Sequence, residues 1–308
     1  MEILTKLQFF EEIVQRVKQK IVTEKLTALL SLTKPGIILG NVLTAMAGFF
    51  IAYKPGDSFF SLFSMLFGLS FIIASACTFN NYIDRELDAK MKRTRNRPLP
   101  QGKIVPSVAL IWGGFLGLYG TFFLINYTNE LTTLVALIGF GVYVFCYSLL
   151  KYYSNIATLI GSIAGACPPV VGYVAVKGTL DFTSLLLFLL LVCWQMPHFL
   201  AIAIYRKEDY EKGGIPLTPI QKGLFFAQLE MTFYTLGFLL VLGCLWIFDL
   251  IGLLYFFLLA SLGSYWLYQV LKGFTNKEPI LWAKKIFFLS LLVITTLSLL
   301  SPLNFLAF

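Results

Sequence analysis

The chain has 308 residues, of which 58% are hydrophobic and only 13% are charged, and its mean hydropathy is +0.79. A water-soluble fold of this length needs more polar surface, so the composition excludes a soluble enzyme and predicts a polytopic α-helical membrane protein. The net charge of +8 does not indicate a nucleic-acid partner, because the basic residues fall in short segments between apolar runs.

The first 30 residues mix acidic, basic and apolar side chains. Leu7, Phe10 and Ile13 belong to an apolar set at helical spacing, which predicts an amphipathic helix on the cytoplasmic membrane surface. The acidic residues in this stretch argue against a transit peptide. We therefore expect a cytoplasmic segment at 1–30 and a single nine-helix transmembrane domain at 31–308.

Nine apolar segments are long enough to cross a lipid bilayer. Their predicted bounds are 36–53, 58–79, 105–125, 131–148, 156–176, 182–204, 224–248, 250–271 and 286–304. With this topology, every Lys and Arg except Lys54 and Lys177 falls on one side of the membrane. The positive-inside rule then predicts a cytoplasmic N-terminus and a C-terminus on the opposite side.

The exit of the second span carries three polar side chains at successive spacings of four. At 3.6 residues per turn, Asn80, Asp84 and Asp88 share one helix face. One amide and two carboxylates suit a hard cation such as Mg²⁺. Arg93 and Arg97 follow, and guanidinium groups bind phosphate in bidentate fashion. The stretch predicts a site for Mg²⁺ and a lipid diphosphate; the alternative is a helix exit whose carboxylates pair with nearby bases.

The short loop after the fourth span predicts a second row of contacts. Tyr147, Lys151 and Asn155 are also spaced by four, on the same side of the membrane as the Asp84 motif. We expect this row to contact the diphosphate. A lysine here can equally anchor its span at the cytoplasmic surface, and the sequence leaves both roles open.

Two loops, four spans apart, share a pattern of charges. Each combines several acidic and basic residues after a long span, and each closes with Pro-Leu, at 98–99 and at 216–217. The shared placement predicts two related four-helix units plus one helix, with the two loops meeting over a central cavity.

In the second of these loops, Asp209 is the predicted counterpart of Asp84, and Arg206 and Lys207 are predicted diphosphate contacts. The position four residues beyond Asp209 is Gly213, so this half offers one carboxylate where the first offers two. The number of bound Mg²⁺ ions is therefore left open, and a solvated charged loop is the alternative.

His198 is the only histidine in the chain. An imidazole within a span can bind the iron of a metalloporphyrin or transfer a proton, or it can be a hydrogen-bonded core residue. It precedes Asp209 by about three helical turns, so a continuous helix would direct both side chains the same way.

The acidic motif at 80–88 in a nine-span chain resembles that of the UbiA-type intramembrane prenyltransferases. Two longer stretches are similar to the protoheme IX farnesyltransferases, or heme O synthases, of that superfamily. One is 81–99, which begins Asn-Tyr-Ile-Asp-Arg, and the other is 194–210, which begins Trp-Gln-Met-Pro-His-Phe-Leu. The resemblance extends to the last helix.

This resemblance implies transfer of a farnesyl group from farnesyl diphosphate to a vinyl group of heme B, which gives heme O. It implies Mg²⁺ as the cofactor, held on the diphosphate by Asn80, Asp84, Asp88 and Asp209, and makes His198 the candidate for heme contact. The expected location is the lipid bilayer of a bacterial cytoplasmic (inner) membrane, without nucleic acid. Whether a downstream heme-modifying enzyme is a physical partner is left open.

Two other functions compete with this interpretation. The first is a prenyltransferase of the same fold that acts on an aromatic acid or a quinone precursor. The stretch around His198 and the single carboxylate of the second motif favour heme over that acceptor. The second is a transporter or channel, which is disfavoured because the carboxylates gather at one membrane face and not in the middle of a span.

Overall fold

The computed structural model describes residue 19 and residues 22–305. This part of the chain contains nine helices that are long and apolar enough to span a membrane. They are α1 Pro35–Ala52, α2 Phe59–Ile83, α3 Pro106–Tyr127, α4 Glu130–Leu150, α5 Ala157–Lys177, α6 Phe182–Tyr205, α7 Leu224–Ile247, α8 Leu253–Thr275 and α9 Pro279–Leu300. The all-α, nine-span prediction is confirmed, whereas most of the predicted surface segment 1–30 lies outside the described residues.

The largest error in the predicted bounds concerns α9, which starts at Pro279 and ends at Leu300 and does not occupy 286–304. Proline is favoured in the first helical turn, where its missing N–H removes no hydrogen bond. Lys284 and Lys285 interrupt the apolar sequence in the first two turns of α9, just before the predicted start at 286. One of them, Lys285, lies on the helix and donates a hydrogen bond to Gln269 Oε1 at 3.1 Å.

Three of the nine spans are not regular α-helices throughout. In α8, the last four residues, Lys272–Thr275, form a 3₁₀ helix. In α4, the segment Val142–Tyr147 is π-helical, a local widening that often occurs at functional sites. In α5, the helix is divided into Ala157–Gly165 and Cys167–Lys177, and two prolines follow the break. Prolines lack the N–H that would continue the hydrogen-bond ladder, which explains the break.

Helices α1 and α5 approach each other closely because each presents a glycine. A Cβ atom built on Gly48 would lie 1.8 Å from the carbonyl oxygen of Pro169. One built on Gly172 would lie 1.8 Å from the carbonyl oxygen of Ala45. In a membrane, where packing and not the hydrophobic effect holds helices together, small residues permit this approach.

The two charged loops are in contact, as their shared pattern predicts. Leu87 and Met91 of the first loop form a buried apolar cluster with Ile215 of the second, and Tyr210 and Leu217 pack against it. All five of these residues also line a cavity at the centre of the helices. The predicted arrangement of two loops over one cavity is therefore present.

Candidate active site

A central cavity of about 520 Å³ lies among the helices beneath the two loops. Its polar wall comprises Lys34, Asn80, Asp84, Asp88, Arg93, Arg97, Tyr143, Tyr147 and Lys151. Elsewhere the wall is mainly apolar, and it includes Trp194, Gln195 and His198 of α6. One continuous space thus joins a charged cluster to an aromatic region that contains the histidine.

Helical geometry brings the three predicted Mg²⁺ ligands to this cavity. Helix α2 ends at Ile83, but helix-like backbone hydrogen bonds between residues four apart continue beyond it. Asp84 N donates to Asn80 O at 2.9 Å, and Asp88 N donates to Asp84 O at 2.7 Å. All three side chains are buried and all three line the cavity. They therefore share one face, as their spacing predicts.

The carboxylate of Asp84 is held from the side of α4. It forms a buried ion pair with Lys151, whose ammonium group lies 5.4 Å from the centre of the Tyr147 ring. The Tyr152 hydroxyl donates a hydrogen bond to Asp84 Oδ1 at 3.0 Å. Burial and the nearby Asp84 charge raise the pKa of Tyr152, so this phenol stays protonated as a donor.

Asp88 and Asn80 each meet a cation as well. Arg97 donates to Asp88 Oδ2 at 2.6 Å. Lys34 Nζ donates to Asn80 Oδ1 at 2.6 Å, while Asn80 Nδ2 donates to Ser148 Oγ at 2.9 Å. With the Asp84 pair, each of the three candidate ligands contacts one positively charged side chain.

Lys34 is a site residue that the sequence reasoning missed. It precedes the proline that starts α1 and adopts a left-handed backbone conformation, with φ 52°. Burial lowers the pKa of Lys34 to about 8. A lysine beside a span on the charged side is also the usual topology anchor, so only its contact with Asn80 distinguishes it.

The donor set suits Mg²⁺. This ion is usually bound through one or two carboxylates together with oxygens of the substrate phosphates. Asn80, Asp84 and Asp88 supply an amide oxygen and two carboxylates on one cavity wall. Arg93 also lines the cavity, is exposed, and has no ion-pair partner among the described residues, so its guanidinium group can receive a phosphate.

Four predicted site residues do not line the cavity: Asn155, Arg206, Lys207 and Asp209. One of these positions, Asn155, was predicted from a helix that was assumed to continue. Helix α4 ends at Leu150, and Asn155 donates instead to Thr218 Oγ1 at 3.4 Å.

Asp209 was predicted as the counterpart of Asp84 from the charge pattern that the two loops share. Helix α6 ends at Tyr205, and Arg206 breaks the helical geometry before the short helix Lys207–Gly213 begins. The continuous helix that would direct His198 and Asp209 the same way is therefore interrupted, and of the two only His198 lines the cavity. Lys207 forms an exposed ion pair with Glu211 at 3.6 Å.

His198 is held between aromatic rings and a serine of α9. Its ring is stacked on Trp194 at a centroid distance of 4.9 Å and lies 4.9 Å from the Phe287 ring. Its Nδ1 is 2.7 Å from Ser290 Oγ. The Trp194 indole donates to the Ser290 backbone carbonyl at 2.8 Å, which ties α6 to α9 at this level. Ser290, a lone serine in an apolar run, carried no sequence signal.

Known sequences and structures were compared with this chain. The UbiA prenyltransferase family profile matches residues 41–292. The chain belongs to the UbiA prenyltransferase family. It is 46% identical over 275 residues to the protoheme IX farnesyltransferase of Protochlamydia amoebophila (strain UWE25), covering 89% of this chain and 97% of that protein. It is 43% identical over 277 residues to the enzyme of the same name from Pseudomonas syringae pv. tomato, with 90% and 94% covered.

Solved structures of UbiA-type proteins have the same fold. A digeranylgeranylglyceryl phosphate synthase superimposes with a TM-score of 0.75 at 20% identity, covering 92% of this chain and all of that one. A UbiA homologue from Archaeoglobus fulgidus, bound to DMAPP and Mg²⁺, superimposes with a TM-score of 0.68 at 17% identity, covering 89% and 98%. The fold agrees with the family match and the curated relatives, by which this chain is a multi-pass membrane protein and a prenyltransferase.

Proposed function

We propose that this prenyltransferase transfers a farnesyl group from farnesyl diphosphate to a vinyl group of heme B and so produces heme O. The observation that carries the proposal is the single cavity that joins the carboxylate and cation cluster to His198. The proposal is supported by relatives named protoheme IX farnesyltransferase, which match this chain over about nine-tenths of its length.

Asn80, Asp84 and Asp88 would hold Mg²⁺ against the diphosphate. When bound, this ion neutralises charge on the phosphate oxygens and so stabilises the diphosphate as it leaves. The A. fulgidus homologue bound to DMAPP and Mg²⁺ supports the cofactor. Asp209 belongs to the proposed metal ligands only if its loop moves, because its side chain is outside the cavity wall.

The cations of the site would neutralise the leaving group. Lys151 and Arg97 are ion-paired with Asp84 and Asp88, so each lies next to the proposed metal position. Arg93 adds a guanidinium group without an ion-pair partner among the described residues, and Lys34 adds an ammonium group from α1. Preorganised charges of this kind act where negative charge develops in the transition state.

The reaction breaks the C1–oxygen bond of the donor, the π bond of the vinyl group and one O–H bond of water, and it forms a carbon–carbon and a carbon–oxygen bond. The C1–oxygen bond of farnesyl diphosphate breaks, and diphosphate leaves with the bonding electrons. The π electrons of the heme vinyl group attack C1 of the allylic cation, which creates a carbon–carbon bond and a new cation next to the porphyrin. Water adds to this cation and loses a proton, which yields the hydroxyethylfarnesyl side chain.

The apolar wall would protect the allylic cation from premature attack by water. Leu69, Ile72, Phe140, Val171 and Leu191 all line the cavity between the spans. Water exclusion of this kind suppresses hydrolysis of reactive intermediates. The isoprenoid chain of the donor fits the same surface, because it is itself apolar.

Mass spectrometry of extracted heme tests the proposed function. Purified protein is incubated with heme B, farnesyl diphosphate and Mg²⁺, beside an Asp84→Ala control that is shown to be folded. We expect farnesylated and hydrated heme from the unaltered protein alone. Unmodified heme, together with prenylation of an aromatic acid or quinone precursor, would contradict the heme acceptor and leave the prenyltransferase assignment intact.

A further inference from the structure

We infer that Ser290 fixes His198 as the Nδ1–H tautomer, so that Nε2 binds the iron of the heme acceptor. The inference rests on the proposed function for the identity of the acceptor. It adds the ligating atom, the tautomer and a positioning residue on α9.

The direction of the hydrogen bonds sets the tautomer. Ser290 Oγ lies 2.6 Å from the backbone carbonyl oxygen of Phe287. A carbonyl oxygen only accepts, so the serine hydroxyl uses its single proton in this bond. Ser290 Oγ must then accept from His198 at the 2.7 Å contact, which requires a proton on Nδ1. The lone pair of the neutral imidazole is therefore on Nε2.

Nε2 is also the ring nitrogen that has no hydrogen-bond partner among the described residues. In this part of the chain, the bond to Ser290 is the one hydrogen bond of the His198 ring. The side chain is only partly buried and lines the cavity, whereas Ser290 is fully buried. A cavity-lining histidine whose Nδ1–H is held by a neighbour while Nε2 is unbonded has the usual arrangement of a metal-ligating histidine.

The aromatic neighbours fix the orientation of the ring. Trp194 is nearly parallel to the imidazole, with an interplanar angle of 24°, and Phe287 is inclined to it by 33°. Rotation about the side-chain bonds would break both contacts and the bond to Ser290. The imidazole is therefore preorganised, which lowers the entropic cost of binding the iron.

The test is a resonance Raman and absorption titration of the full-length protein with heme B, without farnesyl diphosphate. Because His198 is the only histidine in the chain, a purification tag without histidine makes any iron–histidine band a report on this residue. We expect such a band in the ferrous protein. His198→Ala should abolish it, and added imidazole should restore it.

Ser290→Ala tests the positioning role. Loss of the partner of a ligating histidine typically weakens metal binding by about 10- to 100-fold, so we expect a comparable rise in the Kd for heme. The iron–histidine frequency should fall, because the ligand becomes less basic without its hydrogen bond. Ser290→Thr should restore both values.

Ser298→Ala is the matched control, since Ser298 is also a fully buried serine of α9 but its hydroxyl has no hydrogen-bond partner in the described part of the chain. It should leave the heme spectrum and Kd unchanged. Heme bound without an iron–histidine band, or an unchanged Ser290→Ala spectrum, would overturn this inference alone. Absence of both heme binding and heme product would instead overturn the proposed function.

Discussion

At the scale of single residues, each candidate metal ligand of the site is paired with a positively charged side chain. Asp84 contacts Lys151, Asp88 contacts Arg97, and the amide oxygen of Asn80 contacts Lys34. Buried charges are tolerated only when they are paired. The pairing explains how two carboxylates can be almost completely buried at the end of a membrane span.

Asp84 and Asp209 should differ in their effect on catalysis. Asp84→Asn removes a charge from the cavity wall, and we expect kcat/KM to fall by at least ~10²-fold, as for loss of one electrostatic stabiliser. Asp209→Asn should cost less than ~10-fold, because this side chain is outside the wall. Steady-state kinetics of both variants, with folding checked by size exclusion, measure the difference. Equal losses would show that Asp209 enters the site during turnover.

Sequence reasoning found the first row of this site and missed parts of the rest for identifiable reasons. Asn80, Asp84 and Asp88 follow one helical spacing and were placed together from that spacing alone. Lys34 comes from a distant part of the chain and resembles a topology anchor. Ser290 acquires its role only through contact with His198, and no local pattern predicts such a contact.

At the scale of the elements, the helix ends decide which predicted site residues lie outside the cavity wall. Asn155 was placed by extending α4, and Asp209 by the pattern that the two charged loops share, but α4 and α6 end at Leu150 and Tyr205. Neither end is marked by glycine or proline at that position, and the residues that follow Tyr205 are ordinary helix formers. The number of spans was predictable because a long apolar segment reveals a span even when the residue at which its helix ends is unknown.

The close contact of α1 and α5 predicts a large effect of a small substitution. Gly172→Ala places a Cβ atom within 1.8 Å of a backbone carbonyl oxygen, so the helices must separate. We expect a loss of about 1–3 kcal/mol, measured as thermal unfolding in detergent. Gly243→Ala in α7 is the control, because its Cβ meets nothing within 4 Å. If the control is destabilised as much, the α1–α5 contact is not the cause.

At the scale of the whole molecule, the distribution of charge predicts the orientation in the membrane. Lys177 and Lys212 are both exposed, at the end of α5 and in the loop after α6, on opposite sides of the predicted topology. The positive-inside rule puts Lys212 in the cytoplasm.

Cysteine labelling checks this orientation in an active background without the five native cysteines. A membrane-impermeant maleimide should label Lys177→Cys in intact cells and Lys212→Cys only after permeabilisation. The opposite pattern would invert the predicted topology, whereas labelling of both in intact cells would rule out the assignment of these loops to opposite sides.

The pairing of cations with the candidate ligands has a consequence for electroneutrality. Two carboxylates and the cations of Lys34, Arg93, Arg97 and Lys151 leave two surplus positive charges on the cavity wall. A prenyl diphosphate trianion with one Mg²⁺ carries one negative charge, so binding halves this surplus. A smaller net charge is cheaper to hold in a low-dielectric membrane. The donor thus relieves the mutual repulsion of the cations that bind it.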